Sequence, residues 1–359
     1  MIMNDVNDRR PHTLKAGYAP ESGQGSEIPA GNGLQRRHGC AGSPSNCRII
    51  LFPRLTDITS MSNAGTPFNY DEAFSRNIGW VTRAEQAALR GKRIAIAGMG
   101  GVGGVHLLTL TRLGIGAFNI ADMDSFDVVN FNRQAGASMA SLGRPKAEVM
   151  AEMARDINPE LDIRIFDKGV NAGNLDDFLS GVDLYVDGLD FFAFAARRDT
   201  FNACHRLGVP AVTAAPLGMG TAVLSFLPGK MSFEEYFRLD GCDEDEMAVR
   251  FLLGLSPAML QRGYLADPSR VNFTEKRGPS TIAACQLCAG VTATESLKIL
   301  LGRGKVLCAP WGLHFDAYRN RYVKTWRPGG NRNPIQQIGL SIARRQLRAM
   351  RRLEQTGKS

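Results

Sequence analysis

Gly98, Gly100 and Gly103 form a G-x-G-x-x-G, with Gly101 and Gly104 beside them. A strand-like run at 93–97 precedes the glycines, and a helix-like run with Val105, Leu108 and Leu113 follows. A tight turn needs glycine, and close approach of a phosphate excludes a Cβ. The N-terminus of the following helix offers free N–H groups to an anion. Asp122 ends the next strand-like run, where a carboxylate can accept from ribose hydroxyls. The pattern reads as a nucleotide site, against the bland alternative of a glycine-rich turn with no ligand. It does not choose between NAD and ATP.

The discriminating residues come next. Asp122-Met123-Asp124 is followed by Asn130, then Arg133-Gln134. Gly143-Arg144-Pro145-Lys146-Ala147, Asn158-Pro159 and Asp187-Gly188-Leu189-Asp190 follow in order. Phe74-Ser75-Arg76-Asn77-Ile78 stands before the glycine loop. Arginine grips two phosphate oxygens in a fork, and lysine acts as a point charge, so Arg133 and Lys146 are candidate phosphate clamps. Asp190 is the candidate Mg²⁺ ligand, because a hard cation prefers carboxylate oxygen. Asn130 is placed to bond phosphate or ribose. The bland alternatives are solvated surface charges at Arg76, Arg133 and Lys146, and a helix cap at Asp190. Asp187 is the weaker candidate of the two acids.

This ordered set resembles the D-x-D…N-x-x-R-Q, G-x-x-K-A, I-N-P and D-x-x-D steps of ThiF-type, ubiquitin-activating-type adenylating enzymes, over roughly residues 70–226 and 281–301. The resemblance implies ATP and Mg²⁺ as cofactors. It places Gly98, Gly100, Gly101, Gly103, Asp122, Asp124, Asn130, Arg133, Lys146 and Asp190 around the nucleotide. It implies adenylation of a carboxylate, at the C-terminus of a ubiquitin-like or sulfur-carrier protein or of a peptide. Arg76 would reach the nucleotide of a neighbouring subunit, which implies a homodimer. Phe191-Phe192 replaces the asparagine that often follows the second aspartate, so the local polar contacts differ here. Competing readings are an NAD(P)-dependent oxidoreductase, a tRNA-nucleoside-modifying adenylating enzyme, and a non-catalytic scaffold of the same fold.

Strand- and helix-like runs alternate through residue 213, which implies an α/β, Rossmann-type, mostly parallel sheet with helices on both faces. Residues 69–90 read as helical, with Thr82 and Glu85 in a capping box. Helices are also expected at 145–156, 191–207 and 281–301, the last stopped by Gly302. Runs at 221–226, 313–318 and 321–326 read as C-terminal antiparallel strands. Residues 66–330 form the expected adenylation domain, with an irregular insertion at 228–280. Residues 1–65 read as disordered, or as an extension from a start placed upstream of Met61.

The formal charge of +8 is concentrated late in the chain. Arg344, Arg345, Arg348, Arg351 and Arg352 make 331–359 a basic tail. It reads as solvated, with nucleic acid a less favoured partner. No apolar run suits a membrane span, and no secretion signal is visible. The setting expected is cytoplasmic and reducing. Seven cysteines are scattered, with one C-x-x-C at Cys285 and Cys288. The second pair of a four-thiolate zinc site is missing, so no zinc is expected. Cys242 is the candidate thioester nucleophile, and its acidic neighbours disfavour a thiolate.

Overall fold

A computed structural model of the chain describes residues 67–271 and 275–356. The expectation for 1–65 lies outside the described residues. The described residues belong to one compact unit that starts at Gly65.

The chain enters through α1 (Tyr70–Ala73), a 3-10 turn at Ser75–Asn77, and α2 (Arg83–Arg90). The expected single helix over 69–90 is therefore two. The break falls where Thr82 adopts an extended backbone and caps α2, its hydroxyl accepting from Glu85 N. The Glu85 carboxylate returns the bond to Thr82 N at 2.7 Å, so a cap that starts one helix also stops any helix running through it.

The alternating core follows as β1 (Arg93–Ala97), α3 (Gly103–Arg112), β2 (Ala117–Ala121), α4 (Lys146–Ile157) and β3 (Asp162–Phe166). It continues through α5 (Leu175–Phe178), β4 (Leu184–Asp187), α6 (Phe194–Leu207) and β5 (Ala211–Leu217). The antiparallel β6 (Gly220–Phe226) leads into α7 (Phe233–Phe237), α8 (Glu244–Leu255) and α9 (Ile282–Leu301). The chain closes with β7 (Trp311–Asp316), β8 (Arg321–Trp326) and α10 (Pro334–Thr356).

One eight-stranded sheet results, in the order β3-β2-β1-β4-β5-β6-β7-β8. The first five strands are parallel and the last three antiparallel. Alternation along β1 explains the two cores. Ile94 and Ile96 face α3, α4 and α9, while Ala95 and Ala97 face the α5–α8 side. Each fully buried aliphatic side chain of this kind contributes roughly 1.5–3 kcal/mol. The small alanines leave room on the second face for an aromatic cluster that includes Phe194, Phe201, Phe226, Phe233 and Phe251.

The segment 228–280 is more regular than expected. Ser232 and Asp243 cap α7 and α8, each accepting from the N–H three residues on. The basic C-terminal stretch is a helix packed on α8, so it is not solvated throughout. Leu340 is fully buried, and Arg344 Nε donates to Glu246 Oε2 at 2.8 Å. Arg345 and Arg348 stay exposed. Among the described residues, no helix is long and apolar enough to cross a membrane.

His106, on α3, is buried, and neither ring nitrogen has a partner among the described residues. Burial lowers its pKa from 6.5 to about 4. The unfolded chain therefore binds this proton first, and stability is lost as pH falls from 6.5 toward 4. The full loss is about 3 kcal/mol. Urea unfolding of His106→Leu at neutral and acid pH should show a flatter acid limb than the parent. An identical limb would show that other groups cause it.

Candidate nucleotide site

Register brings the site together before any side chain does. Ala97 at the end of β1 is level with Ala121 of β2 and Asp187 of β4. The residues that follow, Gly98, Asp122 and Gly188, therefore emerge at one edge. Gly98 N donates to Ala121 O at 2.7 Å, and Gly188 N donates to Ala97 O at 2.9 Å. The strand order reverses between β1 and β4, and ligands of open α/β sheets sit at such a reversal.

The glycines are required by contact. Gly98 has φ +88°, and a Cβ there would lie 2.2 Å from Gly188 O. A Cβ on Gly103 would lie 1.7 Å from Gly98 O. These two, with Gly188, let α3 start directly against the β1–β4 crossing. Gly100 and Gly101 line the outer side of the loop, facing Gln134 and Arg133. No side chain caps α3; Gly104 N donates to Gly100 O at 3.3 Å, and a helix start without a side-chain cap suits an anion.

Asp122 is committed to this loop. Its Oδ2 accepts from Met99 N at 2.6 Å and its Oδ1 from Asp124 N at 2.8 Å. Burial pushes its carboxyl above the usual range, and the two N–H bonds pull it back. Lys146 is 7% exposed, and its Nζ lies 3.0 Å from Asp124 Oδ2. It is the first residue of α4, which has no side-chain cap. A cation there opposes the helix macrodipole, a placement that makes physical sense if an anion shares the site.

Asn130 is buried and works structurally, its Oδ1 accepting from Asp127 N at 2.9 Å. It fixes the 3-10 turn that delivers Arg133. The Arg133 stem lies over Gly101, and Nη1 donates to Val129 O and Asn132 Oδ1, both at 2.9 Å. Among the described residues Arg133 has no ion-pair partner.

Asp190 is exposed, three residues beyond Asp187, and its Oδ1 accepts from Phe192 N at 3.0 Å. It does not cap a helix at Phe191, the bland alternative for this residue, because α6 begins at Phe194 with Ala193 in the cap position. Asp187 differs from Asp190 in burial and in its ion pair. It is 3% exposed and ion-paired to Arg197 Nε at 2.7 Å. Arg197 escaped the sequence reading. Its signal is an arginine inside an apolar helical stripe of Phe194, Phe201 and Cys204.

Arg76 is not brought to this cluster within its own chain. It is exposed, and its neighbour Asn77 bonds Arg112 O at the far end of α3. That helix is about 15 Å long. Cys285 and Cys288 are buried in α9, with Cys285 Sγ packed toward Gly101. Among the described residues, no three His, Cys, Asp or Glu side chains gather as a metal site. Burial pushes the Cys242 thiol up, away from the thiolate a nucleophile needs. A cavity of about 600 Å³ lies elsewhere, between α7, α8 and α10, and shares no lining residue with the glycine-loop face.

The glycine loop and the D-x-x-D turn meet at the β1–β4 edge of an α/β sheet, with the acid after β2 bonded to that loop and the lysine of α4 paired to Asp124. The chain belongs to the ThiF family, whose model matches residues 74–337. It is 38% identical over 126 residues to the tRNA threonylcarbamoyladenosine dehydratase of Escherichia coli, covering 35% of this chain and 46% of that protein. It is 29% identical over 222 residues to the SAMP-activating enzyme E1 of Haloferax volcanii, covering 62% and 72%. The chain thus spans about half the length of the dehydratases it matches. MccB of E. coli, solved with ATP, shares the fold with a TM-score of 0.54 at 18% identity, over 72% of this chain and 73% of that one.

Proposed function

We propose that this protein adenylates a carboxylate with ATP and Mg²⁺. A carboxylate oxygen bonds to the α-phosphorus, the bond from that phosphorus to the bridging oxygen breaks, and pyrophosphate leaves with the electron pair. Arg133 over Gly101, Lys146 beside Asp124, and the D-x-x-D turn packed through Gly188 against Gly98 support this reading. An oxidoreductase needs the cradle and Asp122 but has no use for two phosphate clamps and a free carboxylate beside them.

The residues fit the ligands. Gly98 and Gly103 bring the backbone close, and the uncapped start of α3 faces the phosphates. Asp122 and Asp124 hold the loop and the ribose side. Asn130 sets the turn that aims Arg133. Arg133 and Lys146 neutralise charge that builds on phosphate oxygens, the main barrier in such transfers. Asp190 keeps an oxygen for Mg²⁺, which takes one or two carboxylates plus phosphate oxygens. Mg²⁺ supplies further charge neutralisation when bound. Arg76 serves a second copy of the chain, consistent with its distance from its own loop.

The acceptor is the C-terminus of a small carrier protein or a peptide. The SAMP-activating relative, matched over most of its length, supports that choice. A tRNA nucleoside bearing a carboxylate is the second reading, favoured by the dehydratase similarity and by exposed Arg345 and Arg348. ATP–pyrophosphate exchange distinguishes them. Exchange should appear with a carrier protein or peptide. Exchange with tRNA alone would move the assignment to the second reading, and no exchange with any carboxylate would end both.

A further inference from the structure

Arg197 sits behind the D-x-x-D turn at 2% exposure. Besides its bond to Asp187, its guanidinium donates to three successive carbonyls. Nη2 reaches Leu189 O at 2.8 Å and Asp190 O at 2.9 Å, and Nη1 reaches Phe191 O at 3.1 Å. The guanidinium Cζ lies 4.7 Å from the ring centroid of Phe251. Phe251 belongs to α8, so the 228–280 segment buttresses the turn from outside the core fold.

The two aspartates have different fates as a result. Asp187 Oδ2 accepts from Arg197 and, at 2.7 Å, from Thr213 Oγ1. Its Oδ1 accepts from Leu189 N at 3.2 Å and Tyr185 OH at 3.4 Å. Both oxygens are spent inside the protein. Asp190 is left facing solvent, on a turn that lacks helix or strand bonding of its own. Besides its local bonds, among them Ala193 N to Asp190 O at 3.0 Å, the turn is held by the planar fork beneath it.

We infer that Arg197 is a positioning residue, which aims Asp190 at a divalent cation and reserves Asp187 as its own counter-ion. The inference rests on the adenylation reading of Asp190. A lysine could neutralise Asp187 but could not span three carbonyls in one plane. Supporting partners of metal ligands commonly carry about 10–100-fold of metal affinity.

The test is equilibrium binding of ATP to the full chain, with EDTA and with Mn²⁺ as probe cation. In Arg197→Lys, affinity with EDTA should stay within about twofold, while affinity with Mn²⁺ falls about tenfold, as it also should in Asp190→Asn. Phe251→Leu removes the ring but keeps the ion pair, and should show the same metal-selective loss, about threefold. If Arg197→Lys does not fold, Phe251→Leu decides. Unchanged Mn²⁺-ATP affinity in the folded variants overturns the inference. So does an equal loss with and without metal, which marks a merely structural role. Failure of the parent to bind ATP at all sinks the adenylation reading itself, and is seen before any variant is made.

Discussion

Lys146→Ala should lower the rate of acceptor activation about 10²–10³-fold, the usual cost of removing one preorganised charge stabiliser. The side chain is 7% exposed and held in place by Asp124, so it offers a fixed charge that needs no reorganisation. Its position at the start of α4 works against the helix macrodipole, a cost that a bound anion would offset beyond what Asp124 does. The partner Asp124 side chain is 64% exposed, so losing the pair should change folding stability by less than about 1 kcal/mol. Pyrophosphate exchange and thermal unfolding, measured on the same preparation, separate the two effects. Equal exchange rates in parent and variant would remove Lys146 from the phosphate site.

Asp187→Ala should have the opposite profile, with a fold defect first. The Asp187–Arg197 pair is buried on both sides, at 3% and 2% exposure. Removing one partner of such a pair strands the other charge and costs about 3–5 kcal/mol. Thr213 Oγ1 and Leu189 N also lose their acceptor. Urea unfolding of parent and variant measures the difference. A loss below about 1 kcal/mol would mean that water reaches Arg197 freely, contrary to its burial.

Much of this arrangement can be read in local sequence. The G-x-G-x-x-G, its flanking strand and helix, and Asp122 announce themselves because each is fixed by backbone sterics or by periodicity. Arg133 and Lys146 both lie in the connection between β2 and β3, and Asp190 follows β4. Gly302 ends α9 with φ +59°, as a helix-stopping glycine should. What escaped notice depends on tertiary contacts. The start of α6 slips from Phe191 to Phe194 because Arg197, from inside the helix, captures the carbonyls of the preceding turn. The ranking of Asp190 over Asp187 had no physical basis until burial separated them. Two signals were present and went unused. Ser232 with Glu235, and Asp243 with Glu246, mark the helix starts inside a segment that composition alone makes look irregular. In the C-terminal stretch, the arginines masked Leu340, which anchors α10 to the body of the protein.

The most direct measurement follows the fate of α-labelled ATP incubated with Mg²⁺, the full chain and a carboxylate acceptor. Adenylation predicts label on the acceptor as acyl-AMP, or as AMP once water or a nucleophile takes the acyl group, with the two together equal to the pyrophosphate released, dependent on Lys146 and without ADP. Formation of ADP and phosphate, or intact ATP in the presence of every carboxylate acceptor together with tight NADH binding, would contradict it.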